Sequence, residues 1–165
     1  MKKSLILFLA LLAFSVATRA ANDSAVLQIY RVKADVASRI VAGGLEACRK
    51  HGVNVAVAVV DRNGILQALT RDTLASPITV VVATQKANAA ANFNVPTSEL
   101  EGRFTSPFSP GKIDGLVLSA GGVPINVGGH LLGGIGVSGA PSGETDEGCA
   151  QAGLDSVMED LEFAF

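Results

Sequence analysis

From residue 35 to residue 50, small and apolar side chains recur at Ala37, Ile40, Val41, Gly44, Leu45 and Cys48, with polar residues between them. Spacings of three and four residues place all six on one side of a helix, so the pattern predicts an amphipathic helix over Asp35 to about Lys50. His51-Gly52 supplies its stop, because glycine can take the left-handed conformation that ends a helix. Val53 to Val60 is then an almost unbroken run of β-branched residues and alanine, Asp61-Arg62-Asn63-Gly64 is turn chemistry, and Ile65 to Thr70 resumes an extended pattern. Together these predict a β-hairpin. Its first strand carries apolar side chains on both sides, which suits a central strand covered on both faces.

Pro77 suits the first turn of a helix running to about Asn92. The β-branched residues of Ile78 to Val82 leave a strand over 78–84 as the alternative. Ser98 with Glu101 three residues on has capping-box spacing for a short third helix. The stretch from Phe104 to Asp114, with Ser-Pro twice and Gly111, reads as an irregular loop long enough to serve as a lid or pocket wall. From Gly115 to Ser138 two or three short strands are expected, with Gly128-Gly129 marking a tight hairpin. Glu144 to Leu161 carries Ala150, Gly153, Leu154, Val157, Met158 and Leu161 on one stripe and acids on the other, a last helix. The order helix, hairpin, helix, short helix, meander, helix implies an α/β (α+β) domain.

The chain start departs from this pattern. Lys2 and Lys3 precede an apolar run from Leu5 to Val16 and the small residues Ala17, Ala20 and Ala21. That is the layout of a secretory signal peptide, expected over residues 1–20 with cleavage after Ala20 (or Ala17), and the run falls short of the roughly 20 residues that span a bilayer. Residues 21–32 then read as an N-terminal extension and 33–165 as the domain, in a periplasmic or secreted protein without a membrane span. Removal of residues 1–20 leaves 10 Lys and Arg against 15 Asp and Glu, and no cation follows Lys112. Such a surface repels phosphate backbones and argues against a nucleic-acid partner.

The two cysteines, Cys48 and Cys149, either pair in the oxidising compartment that export implies or act as small apolar core residues. Two Cys and two His at scattered spacings match no zinc pattern. Ser119 and Ser138 have no His close in sequence, so no nucleophile with its base can be assembled, and binding is favoured over catalysis.

Nine of the 18 glycines lie between Gly121 and Gly143, and Gly134-x-Gly136-x-x-Gly139 has the literal spacing of a dinucleotide loop. That loop needs a strand before it and a crossover to a parallel strand after it; here a hairpin precedes and one helix follows. The glycines suit strands that pass closely under a helix. They would also let a flat ligand approach backbone, with Ser138-Gly139 offering N–H groups to an anionic substituent.

Four blocks carry a resemblance. They are Val57-Ala58-Val59-Val60-Asp61-x-x-Gly64, then Gln85-Lys86-Ala87 with Ala89-Ala90, then Gly121-Gly122-Val123-Pro124-Ile125, and finally Gly134-Ile135-Gly136-Val137-Ser138-Gly139 ahead of a helix with Asp146 and Ala152-Gly153. In order and spacing, over about residues 33–160, they resemble the GlcG/HbpS haem-binding family, which includes the C-terminal domain of PduO. The resemblance implies a profilin-like domain with an antiparallel sheet of about five strands, the first and last helices on one face and the middle helices on the other. It would bring the end of the first helix near the start of the last, and with them Cys48 and Cys149. It also implies a homo-oligomer with haem as its small-molecule ligand, bound or degraded. One departure is Arg71-Asp72-Thr73-Leu74-Ala75, where the family has a segment like Arg-Met-Asp-Gly-Ala.

Haem iron takes His, Cys, Met or Tyr as an axial ligand, and haem propionates take cations or backbone N–H groups. His51 and His130 are therefore the candidate iron ligands, with Tyr30 and Met158 as remoter ones. Lys86 would pair with a propionate or reach solvent along its apolar stem. Gly121, Gly122, Pro124, Ser138 and Gly139 would line the pocket.

Overall fold

The structure, a computed structural model, describes residues 25–106 and 109–165; the predicted signal peptide lies outside the described residues. Helix α1 spans Ala34–Lys50 and buries the six residues of its predicted stripe. It ends at His51, and Gly52 follows with φ +72°. Strands β1 (Ala56–Asp61) and β2 (Leu66–Arg71) form the expected antiparallel hairpin. Asp61 builds its turn: one carboxylate oxygen accepts the N–H groups of Asn63 and Ile65 at 2.8 and 3.0 Å.

Helix α2 runs Ile78–Phe93, so the helical reading of this segment holds over the strand alternative. Asn94 closes it in the left-handed conformation, donating to the Ala90 carbonyl. Strands β3 (Gly122–Val127) and β4 (His130–Ser138) complete a four-stranded, fully antiparallel sheet in the order β2-β1-β4-β3. Helix α3 covers Gly143–Asp155, with the Ser142 hydroxyl accepting from Thr145 N–H as its cap, and a short α4 covers Met158–Glu162.

Side-chain alternation divides β1 between two layers. Val57 and Val59 pack with Ile40, Leu45, Ile135, Val137 and Leu154 beneath α1 and α3, while Ala56 and Ala58 meet Ala83 of α2. Val60 joins Ala87 and Ala91 of α2. The central strand is thus covered on both faces, with α1 and α3 on one and α2 on the other, and all six of its residues are buried.

Glycine sets the depth of both helix layers. A Cβ on Gly136 would overlap the Ala83 carbonyl and the Ala87 N–H of α2, and one on Gly134 would overlap the Ala87 carbonyl. On the other face, a Cβ on Gly153 of α3 would lie 2.7 Å from the Ile40 carbonyl and 2.9 Å from Gly44 N of α1. These close approaches account for most of the glycine density.

Three expectations need correction. The sheet has four strands among the described residues; residues 116–118 lie beside α2, with Val117 N–H donating to the Gln85 carbonyl at 3.4 Å, and add no fifth strand. The last helix is interrupted: the Ser156 hydroxyl takes the Gly153 carbonyl at 2.7 Å, and Val157 leaves helical geometry at φ −128°. Ser98 and Glu101 form no capping box. Residues Thr97–Leu100 are a 3₁₀ turn, and both polar side chains bond elsewhere, Ser98 to Glu147 at 2.6 Å and Glu101 to Ala120 N–H at 2.7 Å.

The β3 edge has a particular shape. Val137 N–H donates to Gly121 O at 2.8 Å, so by antiparallel alternation the N–H positions of Gly122 and Pro124 face away from β4. Gly122 donates outward to the Thr97 hydroxyl at 2.8 Å, and Pro124 has no hydrogen to donate. No helix among the described residues is long and apolar enough to cross a membrane.

Candidate functional site

Five of the predicted site residues, Lys86, Gly121, Gly122, Ser138 and Gly139, gather where α2, the start of β3, the end of β4 and the start of α3 meet. The Lys86 ammonium does not reach solvent. It bonds Asp146 at 2.9 Å, with both side chains 5 % exposed, and the other Asp146 oxygen accepts Ala140 N–H at 2.9 Å. Glu147 beside it accepts Ser98 N–H, the Ser98 hydroxyl and Gly121 N–H. A Cβ on Gly121 would strike Lys86 Nζ and Asp146, and Gly122 abuts the Lys86 carbonyl. The site is a buried polar knot that locks four elements together; its cation is already neutralised, and its glycines face protein. In the sequence Asp146 was legible as part of the fourth block of the resemblance and Glu147 only as an acid of a helical face, neither as a partner of Lys86 or Ser98.

The two histidines lie at opposite ends of the sheet. His51 is exposed at the end of α1, near the β1 start that pairs with Ser138. His130 opens β4, eight residues from Ser138, or about 26 Å along an extended strand. Within one chain they cannot share an iron. Met158, the remote ligand option, packs against the main core as its helical stripe implied. Cys48 and Cys149 form a disulfide across α1 and α3 with Cα atoms 5.4 Å apart, so neither thiol is available to a metal. Among the described residues no cluster of three metal-ligating side chains occurs. Arg49, next to Cys48, bonds Asp72; that hydrogen bond, and then the carboxylate's charge, hold the guanidinium above its ordinary pKa.

Three surface recesses are relevant to a ligand. Two flank the predicted loop, at about 430 Å³ beside Leu100, Glu101 and Phe104, and about 510 Å³ beside Asn88, Asn92 and Phe93. Neither is lined by His, Cys, Met or Tyr. The third, about 230 Å³ and mostly apolar, lies between the N-terminal segment and the chain end, with Tyr30, Val36, Leu132, Leu161 and Phe165 in its walls and Arg31 and Lys33 at its rim. His130 stands against it: its ring stacks on Phe165 at 4.9 Å and lies 4.7 Å from Tyr30. This recess brings Tyr30, with His130 against it, the cations Arg31 and Lys33, and the carboxylate Asp160, itself paired with Arg39, around apolar walls. Its volume takes part of a porphyrin and leaves the rest outside. The sequence reading missed Arg31, Lys33 and Phe165; the signal was the alternation Tyr30-Arg31-Val32-Lys33, which straddles the boundary drawn between the extension (21–32) and the domain (33–165).

A four-stranded antiparallel sheet with helices on both faces defines a small α+β domain with an apolar recess at one end of the sheet. Comparison with known proteins makes the class specific. The model of the haem-degrading protein HbpS-like family matches residues 32–155, and the chain belongs to that family. Protein GlcG of Escherichia coli K12 is 35% identical over 104 residues, 62% of this chain and 78% of GlcG. The crystal structure of an HbpS double mutant from Streptomyces reticuli superposes with a TM-score of 0.76 at 38% identity, covering 82% of this chain and 93% of that one. The structure of the PduOC–haem complex shares the fold, with a TM-score of 0.68 at 24% identity over 76% of this chain and 94% of that one.

Proposed function

We propose that this protein binds haem or a related tetrapyrrole in the periplasm or outside the cell, for storage, sensing or uptake. The carrying observation is the recess just described, in a chain of the HbpS-like family: Tyr30 and His130 beside apolar walls, with Arg31 and Lys33 at the rim. A relative of the same fold has been solved with haem. In this reading His130 or Tyr30 ligates the iron, Arg31 and Lys33 meet the propionates, and Leu132, Val36 and Leu161 exclude water from one edge of the ring. Haem, when bound, supplies a redox-active iron. Arg31 also bonds Asp61 at 3.2 Å, which fixes where its guanidinium stands. The glycine-rich backbone, His51 and Lys86 have no part in this site. Export agrees with the predicted leader and with the disulfide. The apolar side chains Leu74, Ile78 and Val81, exposed at the start of α2, support assembly into homo-oligomers.

Titration of the purified protein with hemin tests the reading. A shifted Soret band is expected, lost in His130→Ala or Tyr30→Phe and retained in His51→Ala. No shift in the unmodified protein overturns it and leaves an oligomeric scaffold. The family description favours a second reading, haem degradation in the same pocket; a Soret band that decays when reductant and air are supplied would select it.

A further inference from the structure

The 510 Å³ recess beside α2 has a chemistry the haem reading does not use. It lies between the β1–β2 turn, the C-terminal half of α2 and residues 110–116, and it falls within the size range of small-ligand sites. Its polar lining is dominated by three carboxamides, Asn63, Asn88 and Asn92, with the single carboxylate Asp114 and no Lys, Arg or His. A lining without cations disfavours anions, haem propionates included. Carboxamides both donate and accept, the pattern that hydroxyl groups require. Phe93 and Ile113 add apolar surface, and the Phe93 ring, 5.3 Å from that of Phe104, offers a face for C–H groups.

Local structure places the backbone of one of these residues and the side chain of another. Asn63 stands in the turn that Asp61 organises, with its N–H bound to the Asp61 carboxylate at 2.8 Å. The Asn92 amide nitrogen is bound to the Asn88 carbonyl at 2.9 Å. Asn88 packs against Gly64, where a Cβ would come within 2.8 Å of Asn88 Oδ1, and Gly64 has φ +81°, so this contact requires glycine twice over. Asn88 Oδ1 itself is buried and has no hydrogen-bond partner. Closed off against Gly64, this oxygen fixes the wall of the recess and is not a contact point for a ligand.

We infer that this recess is a second ligand site, for a neutral polyhydroxylated molecule of about monosaccharide size: hydroxyl groups on the exposed carboxamides Asn63 and Asn92, and a C–H face on Phe93. It lies on the α2 face of the sheet, opposite the Tyr30–His130 recess beneath α1, so the two sites are independent.

The experiment is calorimetry and ligand-observed NMR on the whole domain with D-glucose, D-galactose and myo-inositol, and with ethanolamine as the cationic alternative. The expected result is binding of at least one of the three neutral probes with a Kd on the order of 1 mM or tighter. Asn92→Ala, at an exposed position on α2, should weaken that binding about tenfold, and Asp114→Ala by less than about threefold. Hemin binding should stay unchanged in both variants, which separates this proposal from the haem reading. The inference is overturned if none of the three neutral probes binds, if Asn92→Ala leaves their affinity unchanged with circular dichroism confirming its fold, or if only ethanolamine binds and Asp114→Ala abolishes it.

Discussion

Removing the Cys48–Cys149 bond tests how the two helices beneath the sheet, α1 and α3, are held together. The bond closes a loop of 101 residues in sequence, and both sulfurs are buried between α1 and α3. In the chain-entropy account, a cross-link over about 100 residues disfavours the unfolded ensemble by roughly 4.7 kcal/mol. For a domain of this size that is a fall of roughly 15 °C in Tm. The assay is urea unfolding of the oxidised protein, the dithiothreitol-reduced protein and Cys48→Ala/Cys149→Ala. If the cross-link acts on the unfolded state, the midpoint falls in both altered forms by similar amounts. The m-value also rises, because a chain freed of the loop exposes more surface when it unfolds. A fall confined to the double variant would mean that sulfur packing, and not chain connectivity, carries the effect. A loss below about 1 kcal/mol in both forms would refute the reasoning.

Other perturbations separate the remaining arguments. Gly136→Ala pushes a methyl group into the α2 backbone and should cost about 3 kcal/mol or more, read from the thermal midpoint. Gly148→Ala, exposed on α3 with open space around it, should instead stabilise by about 0.5–1 kcal/mol in the same melt. Lys86→Met strands the Asp146 carboxylate in the interior and should cost about 3–5 kcal/mol, with much of that recovered in Lys86→Met/Asp146→Leu; equal losses in both would contradict an uncompensated charge as the cause.

The elements were legible wherever one periodicity dominated. The α1 stripe and the two-sided apolar run of β1 each have a pattern that a single packing arrangement satisfies, and both folded as read. Where a side chain's partner lies far along the chain, the local pattern misled. Ser98 and Glu101 have capping-box spacing, yet Glu147 and the Ala120 N–H, 49 and 19 residues away, claim them. Lys86 suffered in the same way: an ammonium in an alanine-rich helix invites an anionic ligand, and Asp146, 60 residues on, is the anion. The last helix breaks because Ser156 competes for backbone, a choice that a hydrophobic stripe does not encode. For the candidate site, the sequence offered His130 with its partners hidden, since Tyr30, Leu132, Leu161 and Phe165 come together only when both chain ends close over α1 and β4.

Pro124, with the outward Gly122 N–H already taken by Thr97, leaves one border of the sheet without a donor across its first three residues. An incoming strand would find little there to pair with, so any contact between copies that extended the sheet would have to use β2. Two copies joined β2 to β2 spend that border on each other, and the eight strands end in proline-marked rims on both sides. Growth by strand addition therefore stops at a pair, which keeps such an assembly from running on into a fibre.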